Sequence, residues 1–289
     1  MTAETIVDAL NRSCHCISVD QGALQQTLEA GFGASKTFSR LQQTHPHLLA
    51  NSPVFVSRGQ IEQMKAVISA INHVAGLKRY REKVLQWVPD IAATSPGPKG
   101  VFFGYDFHLT KDGPQLIEVN TNAGGVLLLL HVASAQKACC SEVENFVTGQ
   151  LDAADLELAF VDMFRKELRA QLPGNILRCV GIVDESPTGQ YLGPEFILFQ
   201  EMFARHGIDA VIADPDEFEI RGSRLHAQGK DIDLVYNRLT DFYLQTESCA
   251  TLNDAYKSGA AAFTPNPHTH AIFANKRNLT ILSEATCLR

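Results

Sequence analysis

The sequence predicts an α/β protein in which a helical first part runs into a polar β-hairpin and a parallel sheet follows. Three observations predict it. Apolar residues recur every three or four positions up to about Ala93, the period switches to two after a breaker cluster at Thr94–Gly100, and short apolar strands alternate with helical pattern beyond Gly174. With 289 residues the chain is long enough for two compact domains. Its 45% hydrophobic and 20% charged residues are the mix of a chain that buries a sizeable core, which excludes disorder.

Gln21–Ala30 and Gln60–Val88 carry the helical spacing, the second through Ile61, Met64, Val67, Ile68, Ile71 and Val74, with Ser57 as its N-cap. The run Thr94-Ser-Pro-Gly-Pro-Lys-Gly100 breaks the pattern. Val101–Leu109 and Gln115–Asn120 then read as strands around Lys111-Asp112-Gly113, where Gly113 suits the left-handed position of a three-residue loop. A tight Thr121-Asn-Ala-Gly-Gly125 segment leads into a helix expected to reach the Cys139 region. Leu151–Leu172 is a further helix, with apolar positions at Leu156, Leu158, Phe160, Met163, Phe164 and Leu168. Pro173-Gly174 ends it, and the domain boundary is placed there, giving segments 1–173, 174–262 and 263–289.

Beyond the boundary Cys179–Val183 is a continuously apolar strand and Glu185–Leu192 a polar loop. Gly193-Pro194-Glu195 opens a helix over Phe196–Arg205, the proline standing where its missing N–H costs nothing, and His206-Gly207 ends it. Ile208–Ile212 and Ile232–Tyr236 are strands, with a minor one at Phe218–Leu225. Strand, helix and strand with a two-residue return is the pattern of a parallel sheet covered by helices.

The formal charge of -7, from 32 acidic and 25 basic residues without a Lys/Arg block, predicts no nucleic-acid partner. The most apolar run, Val126–Leu130, is far short of the ~20 residues a membrane span needs. Met1–Leu10 has no basic stretch followed by an apolar one, so no secretory signal is expected. Seven scattered cysteines make no disulfide framework, which points to a reducing compartment, the cytoplasm. Cys14-His15-Cys16 and Cys139-Cys140 lack C-x-x-C spacing and read as buried or idle thiols.

The chemistry concentrates in Gly104–Gly125. Glu118 and Asn120 are two apart on a strand and share a face, while Ile117 and Val119 are expected to take the core. A loop centred on Asp112 sets Asp106 opposite Glu118 and Gly104 opposite Asn120. Two carboxylates and an amide oxygen then share one patch, a donor set that suits Mg²⁺, and Gly104 leaves space for a ligand. The Asn122-Ala-Gly-Gly125 turn into a helix offers backbone N–H groups to an anion. The alternative is a hairpin whose polar face is merely solvated.

Asp106 followed by Glu118 and Asn120, in the frame Leu-Ile-Glu-Val-Asn-Thr-Asn-Ala-Gly-Gly, resembles the magnesium motif of ATP-grasp enzymes. The order of the parts resembles the circularly permuted branch that contains glutathionylspermidine-synthase-like ligases: metal motif, α/β segment from Arg178, Asp233-Leu-Val-Tyr-Asn-Arg-Leu, then Asn266-Pro-His-Thr-His-Ala-Ile-Phe-Ala-Asn-Lys-Arg-Asn-Leu. The resemblance implies part of an ATP-grasp domain in 1–173, a Rossmann-like pre-ATP-grasp domain in 174–262 and the start of a small ATP lobe in 263–289. It implies Mg²⁺ at Asp106, Glu118 and Asn120, ATP near Lys276, Asn122, Gly124 and Gly125, and Arg238 as a clamp for a substrate carboxylate. The implied reaction joins a small-molecule carboxylate to an amine through an acyl phosphate.

Arg238 follows a strand end, where ligands bind in open α/β sheets; a salt bridge to Asp241 is the other role open to it. Ser186, Thr188 and Gln190 are substrate-loop candidates, and His268 and His270 precede Lys276 in a loop from which a phosphate is within reach. Gly104 stands where relatives in that branch carry an arginine. The chain is expected to lack most of the ATP lobe, with Asn275–Arg289 as a poorly packed or exposed helix carrying Leu279, Ile281, Leu282 and Leu288. That leaves a non-catalytic binding module as the competing reading. A dinucleotide oxidoreductase is disfavoured because no G-x-G-x-x-G follows Cys179–Val183. Oligomeric state is not legible.

Overall fold

The structure is a computed structural model that describes residues 3–13, 17–31, 48–49, 54–138 and 153–283. Cys14-His15-Cys16, Cys139-Cys140 and Leu288 lie outside the described residues. The first elements are α1 (Ala3–Ser13), β1 (Ile17–Val19) and α2 (Gln21–Gly31). Ser57 caps α3 (Arg58–Gly76) through a reciprocal box: its hydroxyl accepts from Gln60 N–H at 3.1 Å, and the Gln60 side chain accepts from Ser57 N–H at 2.9 Å. The single helix expected over Gln60–Val88 is interrupted, because Leu77 turns extended behind Gly76 before α4 (Lys78–Val84) begins. The break turns Tyr80 inward, where its hydroxyl donates to the Ile272 carbonyl at 3.0 Å.

The breaker cluster leads, as expected, into a hairpin of β2 (Gly104–Thr110) and β3 (Gly113–Asn120). Thr110 pairs with Gly113, so the turn holds only Lys111 and Asp112, and Gly113 takes φ 105°. The following helix, α5 (Val126–Ser134), stops short of the Cys139 region. There the chain turns into β4 (Gln136–Ala138), which pairs antiparallel with β1. Next comes α6 (Ala153–Gln171).

A parallel sheet follows with strand order β11-β10-β5-β6, built from β5 (Cys179–Val183), β6 (Asp209–Ala213), β10 (Leu234–Asn237) and β11 (Ala262–Thr264). Every residue of β5 is buried, which is why that strand reads as a continuous apolar run. α7 (Gly193–Arg205) joins β5 to β6. The minor strand expected at Phe218–Leu225 is instead a hairpin, β7 (Phe218–Arg221) and β8 (Arg224–Ala227), extended by β9 (Lys230–Ile232). Asp233 separates β9 from β10, its buried carboxylate accepting from Arg178 N–H at 2.8 Å, Cys179 N–H at 3.1 Å and the Arg224 guanidinium at 2.7 Å.

α6 and α7 cover one face of the sheet, where Phe164 packs against Phe199, Phe203 and Tyr236 with ring centroids 5.0–6.1 Å apart. The other face is covered by the β7–β9 meander and α8 (Ala250–Ser258), through Phe218, Leu225, Ile232 and Leu252. Since α6 precedes Pro173-Gly174 yet shares its core with Val180, Ile182 and Tyr236, a continuous core crosses the position chosen for the boundary. α9 (Pro267–Phe273) and α10 (Asn278–Leu282) close the described chain. Of the poorly packed or exposed helix expected over Asn275–Arg289, residues 284–289 lie outside the described residues, and in α10 Ile281 and Leu282 are partly buried against the cluster of Ile71, Tyr80, Val84 and Phe273. No helix among the described residues is long and apolar enough to cross a membrane.

Candidate functional site

The hairpin register sets Asp106 opposite Glu118 and Gly104 opposite Asn120, the pairing the loop position predicts. Their neighbours Tyr105 and Val119 pair on the other face and pack with Leu116 toward α3, α4 and α9. Ile117 is not a core residue, being 47% exposed. A bulge shifts the register between Asp106 and Phe107, so Leu116 faces Phe107 and Ile117 becomes the extra residue. A bulge changes the parity of alternation, which lets Leu116 and Val119 both turn inward while Glu118 and Asn120 stay outward.

Asn120 Nδ2 donates to Glu118 Oε1 at 3.3 Å, and Lys276, from the turn before α10, places Nζ 3.0 Å from Glu118 Oε2. Lys276 and Asn120, helped by Asp106, hold the Glu118 carboxyl below the usual carboxylate range. Among the described residues no group of three or more His, Cys, Asp or Glu side chains is placed to hold a metal ion; this patch has two carboxylates and completes its oxygen set with an amide. Hard oxygen donors of that number suit Mg²⁺, which takes one or two carboxylates and leaves positions for phosphate oxygens and water. The Lys276 ammonium shows that a cation fits against Glu118. Gly104 does not open space for a ligand: a Cβ there would lie 3.1 Å from the Ala123 side chain, so the glycine serves close packing of the following turn.

That turn is held from the α/β side. Glu195, in the first turn of α7, is fully buried and accepts from Gly125 N–H at 2.7 Å and Leu127 N–H at 3.0 Å. The anion at the start of α5, expected from a ligand, is therefore a carboxylate of the protein itself. Burial pushes the Glu195 carboxyl up, against the Gly125 hydrogen bond and the charge of Arg238. Arg238 is buried, and its Nη1 donates to the carbonyls of Asn122 and Ala123 and to the Tyr236 hydroxyl. Gly124 leaves room for these side chains, since a Cβ would meet Arg238 Nη2 at 2.6 Å and Leu192 Cδ1 at 2.5 Å and both ends would have to shift. The salt bridge weighed between Arg238 and Asp241 does not form; Asp241 accepts instead from Gln245 and Thr246 N–H at 2.6 and 2.8 Å.

In the loop after β5, Ser186 takes φ 46° and its N–H donates to Asp214 at 2.6 Å, while Gln190 donates to the Glu185 carbonyl. Sequence reasoning passed over two acids near this end of the sheet. Asp184 closes β5 and burial pushes its carboxyl up to about 6. Glu195 is the other, and an acid in a first helical turn ordinarily signals nothing beyond the helix dipole. The two histidines lie on α9 and not in the loop expected for them. His268 Nδ1 lies 2.7 Å from the Ala92 carbonyl, and His270 stacks on Phe242 with centroids 3.8 Å apart.

Burial pushes His270 down to about 4. A base with a depressed folded value adds stability that is complete above its ordinary value of 6.5 and is lost as the pH falls through about 4. NMR of the folded protein is expected to show the His270 ring neutral at pH 6 with a midpoint near 4; a midpoint near 6.5 would mean the ring is open to water.

A cavity of about 310 Å³ lies elsewhere, lined by Asp90, Gln171, Tyr256 and Lys257 near the start of β11, and none of the hairpin residues borders it. No family model and no curated protein matches the chain.

Proposed function

We propose that the chain carries the metal-binding part of a Mg-ATP-dependent carboxylate–amine ligase of the circularly permuted ATP-grasp kind. In this reading the hairpin belongs to an ATP-grasp domain, and the parallel sheet is a Rossmann-like pre-ATP-grasp domain. The observation that carries it is the pairing of Asp106 with Glu118 on the outward face of the hairpin, with Asn120 beside them and Lys276 meeting Glu118 from the far end of the chain. Asp106, Glu118 and Asn120 would hold Mg²⁺, and the bound ion would neutralise charge on the ATP phosphates. Lys276 adds a positive charge on the same side. The brace from Glu195 and Arg238 holds the Asn122–Gly125 turn, and with it the end of β3, against the sheet. The carboxyl ends of β5 and β10, where the strand order reverses, are the place for the carboxylate and amine substrates, beside Asp184 and the Ser186–Gln190 loop.

One observation favours a second reading, a non-catalytic binding module: Arg238 and the start of α5 are both committed to internal partners. Titration of the chain with Mn²⁺ and Mg²⁺ tests the first reading. Asp106→Asn and Glu118→Gln are each expected to weaken binding by at least about tenfold, the loss found even for residues that stand behind metal ligands. Equal affinity in both variants would overturn the site. Mg²⁺-dependent turnover of ATP would favour the ligase over the binding module, since only the ligase hydrolyses or transfers phosphate.

A further inference from the structure

We infer that Lys276 holds the metal's place on Glu118, so that the lysine and a divalent cation exchange at one carboxylate and Lys276 sets the affinity of the site. The inference rests on the metal reading above. Asp106 and Glu118 are directly paired across the strands, and like charges at such positions destabilise a hairpin. The Lys276 ammonium, 3.0 Å from Oε2, offsets that repulsion. An ion bound by the same two carboxylates does the same with twice the charge, and it competes with Lys276 for the Glu118 carboxylate.

The turn that carries Lys276 is built to stay while the side chain moves. Its carbonyl accepts from Leu279 N–H at 3.2 Å, Asn275 caps Arg277 N–H at 3.1 Å, and Asn275 Nδ2 donates to the Tyr243 hydroxyl at 3.2 Å. The next residue, Arg277, lies over the Trp87 ring at 4.4 Å. The Lys276 side chain, in contrast, is 82% exposed and meets Glu118 only by its tip. An ion pair this exposed is weak and screened by salt, so the lysine tunes metal binding and does not block it. Release from Glu118 frees the ammonium for a phosphate oxygen beside the ion, which couples arrival of the metal to a charge for the nucleotide.

The test uses the full chain and Mn²⁺ alone at low ionic strength, with bound ion counted by electron paramagnetic resonance. Lys276→Met is expected to bind Mn²⁺ about fivefold more tightly than the parent, the upper end of what an exposed ion pair contributes. Lys276→Arg, which keeps a cation there, should stay within about twofold, and the gain should shrink in high salt. Lys111→Met removes an exposed charge from the turn of the same hairpin, away from Glu118, and should change nothing, which separates occupancy from general field. Emission of Trp87, the chain's one tryptophan, should be the same in Lys276→Met and the parent, showing that the turn is intact. Unchanged or weaker binding in Lys276→Met, with binding in the parent, would overturn the exchange and leave the metal reading standing. No Mn²⁺ binding in either protein would overturn both.

Discussion

Replacing Glu195 by alanine is expected to destabilise the protein by about 3–5 kcal/mol, the cost of removing one member of a buried, hydrogen-bonded charged arrangement. Glu195 has no exposure, and its oxygens receive the N–H groups of Gly125 and Leu127, two of the donors that every helix start leaves without an intrahelical partner. Alanine leaves both donors unpaired, the Leu127 N–H in a buried position and that of Gly125 in a partly buried one, and removes the anion that faces Arg238. Glu195→Gln keeps one accepting oxygen and should cost less, about 1–2 kcal/mol. Urea denaturation measures both, and hydrogen exchange at Gly125 and Leu127 localises the loss to the start of α5. A change below about 1 kcal/mol in Glu195→Ala would show that this helix start is satisfied without the carboxylate. The connection bears on the proposed metal site because only the turn over residues 121–125 separates α5 from the end of β3, so looseness there reaches Asn120 and Glu118 within a few residues.

The hairpin pairing matched the expectation because two departures cancel: the turn holds only Lys111 and Asp112, which alone would set Asp106 opposite Ile117, and the bulge at Ile117 shifts the register by one and returns Asp106 to Glu118. The bulge was not legible, since it consists of one ordinary residue, Ile117, which strict alternation assigns to the core. β5 announced itself by burial on both faces, whereas β11, the three residues Ala262–Thr264, is too short to show a period. The break between α3 and α4 hid for a different reason. Helical spacing continues through Gly76, and only the packing of Tyr80 against the far end of the chain requires the turn at Leu77. The meeting of Lys276 with Glu118 depends on α9 and α10 folding back on α3 and the hairpin, which no local pattern reports. The same holds for Glu195 and Arg238, whose partners are set by how the helix and the sheet are packed.

Arg238 separates a substrate clamp from an internal brace most sharply. Its guanidinium spans the carbonyls of Asn122 and Ala123, stacks at 5.3 Å over the Tyr236 ring, and lies close enough to lower the Glu195 carboxyl against its burial. Arg238→Met is therefore expected to cost about 3–4 kcal/mol, because a buried acid loses its compensating charge and two carbonyls lose a donor. Lysine keeps the charge but not the planar group over the Tyr236 ring, so Arg238→Lys should still cost about 1–2 kcal/mol. The double variant Glu195→Gln with Arg238→Met should lose less than the sum of the single losses, by about 1–2 kcal/mol, since the acid that needs the arginine is gone. Gly124→Ala gives an independent check: a Cβ 2.6 Å from Nη2 has to displace the guanidinium, and it should reproduce part of the Arg238→Lys loss. A clamp gives the opposite pattern. Its lysine variant would keep stability within about 0.5 kcal/mol, the range of substitutions that break no buried contact, and would weaken only the binding of the acid substrate.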